Sequence, residues 1–244
     1  MTFPSIRIEG AILSGDLLAK LDSGECPGQR PADFGFDSAG KLKDEIVRAW
    51  TAGQAFYTAF QHKLEGVKEG AAATSETRNQ WIIPLLGLLG YAELEFQSQS
   101  ELVGDKPFRL SHHLRSHGGF RVHIVGARES LDKKPAAGSG VRYSPHAHLQ
   151  EYLNLTEHLY AVVTNGRLLR LLRDSTRLVR LSYVEFDLDR MFGEDLFADF
   201  AVFYRLLHVS PLPKTPGQSP ESLLEHYHQD SLASGERCCF GNSA

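Results

Sequence analysis

The stretch LYAVVTNGRLLRLLRD, residues 159–174, holds two apolar runs divided by Asn165–Gly166. Asn–Gly accepts the positive φ of a tight turn, so the two runs are predicted to fold back as antiparallel strands. A rival pattern crosses the same residues. Arg167, Arg170, Arg173, Arg177 and Arg180 step by three, three, four and three, which would line one face of a helix. The turn dipeptide decides for strands, with a second turn at Asp174–Ser175 before RLVRLSYVEFDL, a segment rich in β-branched and aromatic residues.

The remaining periodicities place other elements around this hairpin. Residues 1–37 read as short apolar patches broken by Gly and Pro, with a turn or two of helix near Asp16–Leu21. Ile46, Trp50, Tyr57, Phe60 and Leu64 fall on one face of an amphipathic helix that Gly66 ends. GVKEGAAATSE follows as a linker. Thr77 and Gln80 have capping-box spacing ahead of the apolar WIIPLLGLLGY helix, in which Pro84 predicts a kink and Gly90 a stop. LEFQSQ, PFRLSHHL and RVHIVGAR read as strands, ESLDKKPAAGSGVRYSP as a loop and HAHLQEYLNLTEH as a short helix. LFADFAVFYRLLHV is apolar nearly all round and is predicted to be a buried helix, followed by a Pro-rich break and a helix over ESLLEHYHQDSL. The fold class expected is α+β, a mixed sheet with flanking helices. The chain divides into an irregular and helical segment 1–70, an α+β segment 71–190, helices over 191–237 and an atypical tail 238–244.

Composition narrows the class of protein. Of 244 residues, 42% are hydrophobic and 23% charged, and only three are Cys (Cys26, Cys238 and Cys239). No apolar run reaches the roughly 20 residues needed to cross a bilayer, and the N-terminus lacks a signal-peptide core. A soluble cytoplasmic protein with reduced thiols is expected. The net charge is −4, yet residues 109–180 carry 12 Lys or Arg against 5 Asp or Glu. A basic middle between acidic ends fits either a polyanion-facing surface or a solvated charged face.

The ordered series FPSIRIEGAILSGDLL, AWTAGQAFYTAFQ, QWIIPLLGLLGY, SPHAHLQEYLN, VVTNGRLLRLLRD and YVEFDLDRMF resembles the N-terminal region of type IIG-like fused restriction–modification enzymes. In these bacterial phage-defence proteins a nuclease-like domain precedes an adenine-specific DNA methyltransferase. The resemblance spans residues 3 to about 237, and Val163–Gly166 with the Leu/Arg strand is its strongest part. It implies a PD-(D/E)xK restriction-endonuclease-like core: helix, three strands, helix, strand, with metal-binding carboxylates on the second and third strands. Mg²⁺, a hard cation, needs those oxygens, and the Lys helps position the attacking water.

Carried over, the Glu-x-Lys slot falls on Gly126-Ala127-Arg128, the preceding strand has no acid, and the Gln-x-x-x-Tyr element becomes Gln150 with Asn154. The resemblance therefore implies a degenerate core with no confident catalytic residue. Glu129 and Asp132 are the weak candidates for displaced metal ligands, in an alternative reading as a Mg²⁺-dependent endonuclease. The Asn-Pro-Pro-Tyr motif and the glycine turn for S-adenosylmethionine are absent, so that cofactor belongs to a methyltransferase region outside this chain. The expected partners are double-stranded DNA and a methyltransferase domain or subunit, with no membrane. DNA contacts are assigned to Arg128, Lys133, Lys134, Gln150, Asn165, Arg167, Arg170 and Arg173, with Lys133, Lys134, Arg167, Arg170 and Arg173 meeting phosphates, for which Arg presents a planar fork of donors. A third reading is a scaffold that binds partners through aromatic C-terminal helices and leaves DNA alone. His146-x-His148 and His226-x-His228 have metal-compatible spacing, but no Cys stands near to complete a structural zinc site.

Overall fold

A computed structural model describes residues 2–37, 41–135, 142–174 and 182–240, the side chains of 235–240 excepted. Its centre is a seven-stranded mixed sheet. In chain order the strands are β1 (Ile6–Glu9), β2 (Leu94–Phe96), β5 (His112–Leu114), β6 (Phe120–Ile124), β7 (Tyr160–Thr164), β8 (Leu168–Arg173) and β9 (Tyr183–Asp187). Their spatial order is β1-β9-β8-β7-β6-β5-β2. Every pair is antiparallel except β6–β7, which is parallel and joined by a crossover containing helix α5 (Pro145–Leu155). The α+β class with flanking helices is thus observed.

The predicted hairpin is β7–β8, with Thr164 opposite Leu169. Gly166 alone takes positive φ (81°). The Asn165 side chain closes the turn by accepting from the backbone N–H groups of Arg167 and Leu168 at 3.0 and 2.8 Å. No helix forms over Arg167–Arg173; Arg177 and Arg180 lie outside the described residues.

Three differences from the sequence reading have local causes. First, Ile6–Glu9 is a strand. Its Ile-x-Ile alternation faces Phe186 and Val184 in β9, a pairing across nearly the whole chain. Second, PFRLSHHL is not one strand. Gly104 (φ 58°) folds β3 (Glu101–Val103) and β4 (Lys106–Phe108) into a separate ribbon, and only His112–Leu114 joins the main sheet. Ser111 breaks the run by lending its Oγ to the N–H of Ile124 at 2.7 Å. Third, Thr77 is not an N-cap. The helix starts earlier, as α3 (Thr74–Glu76), passes through a π-helical turn (Thr77–Ile82) and continues as α4 (Ile83–Leu88). Ile83 N–H reaches back to Arg78 C=O, and Pro84, which has no N–H, sits where the wider turn ends. Gly90 (φ 87°) stops the helix as expected.

On one face of the sheet lie α1 (Gly15–Ser23), α2 (Leu42–Glu65), α3–α4, α6 (Leu188–Gly193), α7 (Phe197–Leu207) and α8 (Leu223–Phe240). Their buried side chains form a single cluster running from Ile12 to Tyr227, so segments 1–70, 71–190 and 191–237 share one core. Helix α7 is buried nearly all round, including Phe200, Phe203 and Leu207, and is no exposed docking face. Even its Asp199 is enclosed, accepting from Ser5 N and Oγ at 2.7 and 2.6 Å. On the other face α5 covers a smaller cluster built on Leu149, Tyr152, Ala161, Val163 and Leu172.

The start of α3 is locked against the ends of β6 and β7. Trp81 Nε1 donates to Gly166 C=O at 2.7 Å, and Thr77 Oγ1 accepts from Ala127 N at 2.9 Å. Gly126 passes so close to Ala72 that a Cβ would lie 2.0 Å from its carbonyl oxygen. Gly126→Ala should therefore destabilise the fold by about 1–3 kcal/mol in urea unfolding, as overpacking does. Gly87→Ala, with nothing within 4 Å of the new Cβ, should be neutral or stabilising. Equal stability of the two variants would refute this account of the junction.

Candidate functional site

Strand parity separates the arginines that the sequence placed on one stripe. Successive side chains of β8 point to opposite faces, so Arg170 looks toward α5 while Arg173 looks toward α8. Arg170 is 4% exposed. Its Nε donates to Glu185 at 2.6 Å, and Nη1 and Nη2 donate to the two carboxylate oxygens of Asp132 at 2.6 and 2.8 Å. Nη1 also lies 3.0 Å from His146 Nδ1, and the guanidinium stacks on the Tyr183 ring at 4.8 Å. Because Arg can only donate, His146 Nδ1 is an acceptor and its proton sits on Nε2. Arg173 bonds Glu225 through Nε and Nη2 at 3.0 and 2.8 Å, and Glu225 also accepts from Tyr160 Oη at 2.7 Å and Gln229 at 2.8 Å. Burial would raise the Glu225 pKa, but the hydrogen bonds from Arg173, Gln229 and Tyr160 outweigh it and hold the carboxyl low. Both arginines are counterions of buried acids. Neither presents a free guanidinium to a phosphate, contrary to their expected role.

Other expected contacts have also been taken up by the fold. Arg128 sends its guanidinium to the carbonyls of Leu64, Val67 and Lys68, closing the C-terminal end of α2 where the helix dipole favours a cation. Gln150 is buried and donates to Asn154 Oδ1 and Arg173 C=O at 3.0 and 3.1 Å. Asn165, besides closing its turn, donates to Glu129 C=O at 2.8 Å. Arg167 is half-exposed and 3.6 Å from Asp189. Lys133 and Lys134 remain exposed, with no ion pair among the described residues, and the same holds for Arg109 and Arg142. These four are cations of the basic middle segment that stay exposed without an ion pair among the described residues.

The metal-site reading fares differently. Gly126–Arg128 lies beyond the end of β6, in the junction with Ala72, where a side chain at position 126 has no room. Glu129 Oε2 accepts from Gly126 N at 2.7 Å and is a turn brace. Asp132 is the bidentate partner of Arg170, whose hydrogen bonds depress its pKa despite partial burial. The two carboxylates serve different partners and do not fit a Mg²⁺ site. Among the described residues no three His, Cys, Asp or Glu side chains form a group able to hold a metal ion. His146 and His148 do not act as a pair, since His146 turns to Arg170 and Tyr183 while His148 stacks on Phe108 at 5.2 Å. His228 Nδ1 donates to Ile12 C=O at 2.7 Å. No helix among the described residues is long and apolar enough to cross a membrane.

Sequence reasoning overlooked two polar clusters. In the first, Arg121 on β6 bonds Tyr152 Oη at 2.9 Å, Gln97 Oε1 at 2.7 Å and the carboxylate of Glu101, tying the β3–β4 ribbon to α5. The second joins Arg78, Phe96 and His112 at the β2 edge, where the guanidinium lies 4.6 Å from the Phe96 centroid. Neither has a spacing signal, because each joins residues from three separate elements.

Comparison with protein-family models, with characterised proteins and with solved structures yields no match.

Two outcomes follow from the electrostatics. Arg170→Glu should cost about 3 kcal/mol or more of folding stability in urea, because it leaves Glu185 buried without its partner. Most of that loss arises at Glu185 (side chain 12% exposed) rather than at Asp132 (64% exposed), where water screens the pair. An unaltered unfolding midpoint would show the cluster to be dispensable. The second outcome concerns acid. Burial, aided by Arg170, holds His146 down to about 4; burial with Arg78 does the same for His112, and burial with His148 takes His123 to about 3. An unfolded His takes up its proton near about 6.5, so between there and about 4 the unfolded chain binds more protons than the folded one. Stability should be full above that upper value and fall steadily as pH drops toward the lower one. A flat profile of urea midpoints across this window would contradict neutral burial of these rings.

Proposed function

We propose that this chain is a nuclease-like domain of a restriction–modification protein that has lost its cleaving carboxylates. In this reading it grips duplex DNA through phosphates without reading sequence, and docks on a methyltransferase domain or subunit that supplies the S-adenosylmethionine chemistry. The observation that carries the reading is the order of elements. Within the main sheet, helix α3–α4 precedes three antiparallel strands, β2, β5 and β6, with the β3–β4 ribbon inserted between the first two, then come helix α5 and β7 running parallel to β6. That is the order the resemblance implies for a PD-(D/E)xK core. Further support comes from the place where the Glu-x-Lys would stand: it is occupied by a packed glycine and a helix-closing arginine.

The DNA contact in this proposal rests on Lys133, Lys134, Arg142 and Arg109. Arg170 and Arg173 serve it indirectly, by holding the Asp132 loop and helix α8 to the sheet. The reading also assigns the domain no metal of its own.

The test is fluorescence anisotropy of a labelled duplex, titrated from low to physiological salt. Each neutralised phosphate contributes about 0.9 to the slope of log K against log salt, so reversing Lys133, Lys134 and Arg142 to Glu should flatten it by about 2 to 3. The triple variant should keep the wild-type unfolding midpoint, because none of the three makes an ion pair among the described residues. Supercoiled plasmid incubated with Mg²⁺ should stay intact. No binding at low salt would displace this reading in favour of a scaffold. Nicking abolished by both Glu129→Ala and Asp132→Ala would establish an endonuclease instead.

A further inference from the structure

The cluster at the β2 edge has an arrangement that the fold alone does not account for. Arg78, in the π-helical turn, is only partly exposed, yet makes no hydrogen bond and no ion pair among the described residues. Its Nε is buried without a partner, while its Nη nitrogens reach solvent. The neighbouring acids in sequence do not serve it: Glu76 makes no ion pair, and Glu95, next to Phe96 on β2, is committed to His113 and Arg115. Removing a guanidinium from water without a counterion is costly, and the cost shows as a lowered Arg78 pKa with burial as its cause.

Two neighbours complete the cluster. Phe96 lies under the guanidinium and is 56% exposed, an unusual position for so large an apolar ring. His112, its cross-strand partner, is 1% exposed and its ring meets Phe96 edge-on at 5.5 Å. His112 Nδ1 pairs with Ser111 Oγ at 2.9 Å, which leaves Nε2 buried with no partner. An uncompensated cation, a buried ring nitrogen and an open aromatic face therefore meet at one sheet edge.

We propose that Arg78, Phe96 and His112 form a binding site for a nucleotide unit of single-stranded nucleic acid. The phosphate takes the free Nη edge of Arg78, which presents two parallel donors. The unpaired base stacks on the exposed surface of Phe96. Ser111 Oγ donates to Val122 C=O, so His112 Nδ1 donates to Ser111 and Nε2 is an acceptor, which gains a partner in a water that the phosphate holds. An exposed phenyl ring offers nothing to a duplex, whose bases are already stacked, but stacks any unpaired base regardless of sequence. The site lies on the opposite sheet face from the Asp132–Arg170 cluster, next to which Lys133 and Lys134 stand, and does not rest on the duplex-contact reading.

The test is anisotropy of a labelled oligothymidylate with the full chain at low salt. Arg78→Gln and Phe96→Ser should each weaken binding by about tenfold. Lys43→Gln, an equal loss of charge on helix α2, should change it less than about twofold. Duplex affinity should be unaffected by Arg78→Gln and Phe96→Ser, which separates failure here from failure of the duplex reading. The unfolding midpoint of Arg78→Gln should stay close to that of wild type, since the residue has no hydrogen bond or ion pair to lose among the described residues and gives up only its stacking on Phe96. Thymidine 5′-monophosphate should displace the oligonucleotide where the same concentration of inorganic phosphate does not. Wild-type affinity in Arg78→Gln, or a collapse of its unfolding midpoint, would overturn the site, and equal displacement by inorganic phosphate would overturn its assignment to a nucleotide.

Discussion

The structure depends on one junction, where helix α3–α4 meets the ends of β6 and β7, the one parallel strand pair among the described residues. Trp81 donates to Gly166, Thr77 accepts from Ala127, and Ala72 fills the space that a side chain at position 126 would need. These contacts seat α3–α4 across β6 and β7, and Arg128 extends the lock to the end of α2. In an open sheet, the carboxyl ends of parallel strands are where ligands are ordinarily received. Here that place is packed with backbone. In the proposed reading, this packing stands where a nuclease-like core would carry its Glu-x-Lys.

Charge follows the same logic. A basic middle segment looks like a surface for polyanions, yet much of its arginine is spent internally. Arg121, Arg170 and Arg173 each meet a carboxylate brought from a distant part of the chain, Glu101, Glu185 and Glu225 respectively. Burying an arginine requires such a partner, so the acidic flanks are the source of counterions as well as of net charge. Among the described residues, what remains free of ion pairs there includes Lys133, Lys134 and Arg142 ahead of α5, and Arg109. Outside that segment Arg205 lacks a carboxylate but donates to Gln29, whereas Arg78 has neither counterion nor hydrogen bond among the described residues, and for that reason it marks the site proposed above.

Much of the fold was legible residue by residue. The five-residue apolar face from Ile46 to Leu64, the Asn165–Gly166 turn, Gly90 as a stop and the all-round apolar α7 each act locally, through periodicity or backbone freedom, and each stands where the pattern put it. The candidate site was less legible. Arg170 and Arg173 stand on a strand as expected, with Arg167 in the turn before it, but a strand sends odd and even members to opposite faces, and what waits on each face is decided by other elements. The strand Ile6–Glu9 was missed for the same reason, since its partner β9 lies at the other end of the chain.

The sequence by itself determined most of the helices, the hairpin and the α+β class, because these follow from interactions within a few residues. It also determined that positions 126 and 128 are Gly and Arg rather than Glu and Lys. Only the tertiary structure decided that Gly126 is required by the carbonyl of Ala72, that Asp132 and Glu225 neutralise buried arginines, and that Arg78 is left alone beside Phe96 and His112. The physical reason is that counterions and close backbone approaches are settled by distance in space, and the packing of the sheet against its helices sets those distances.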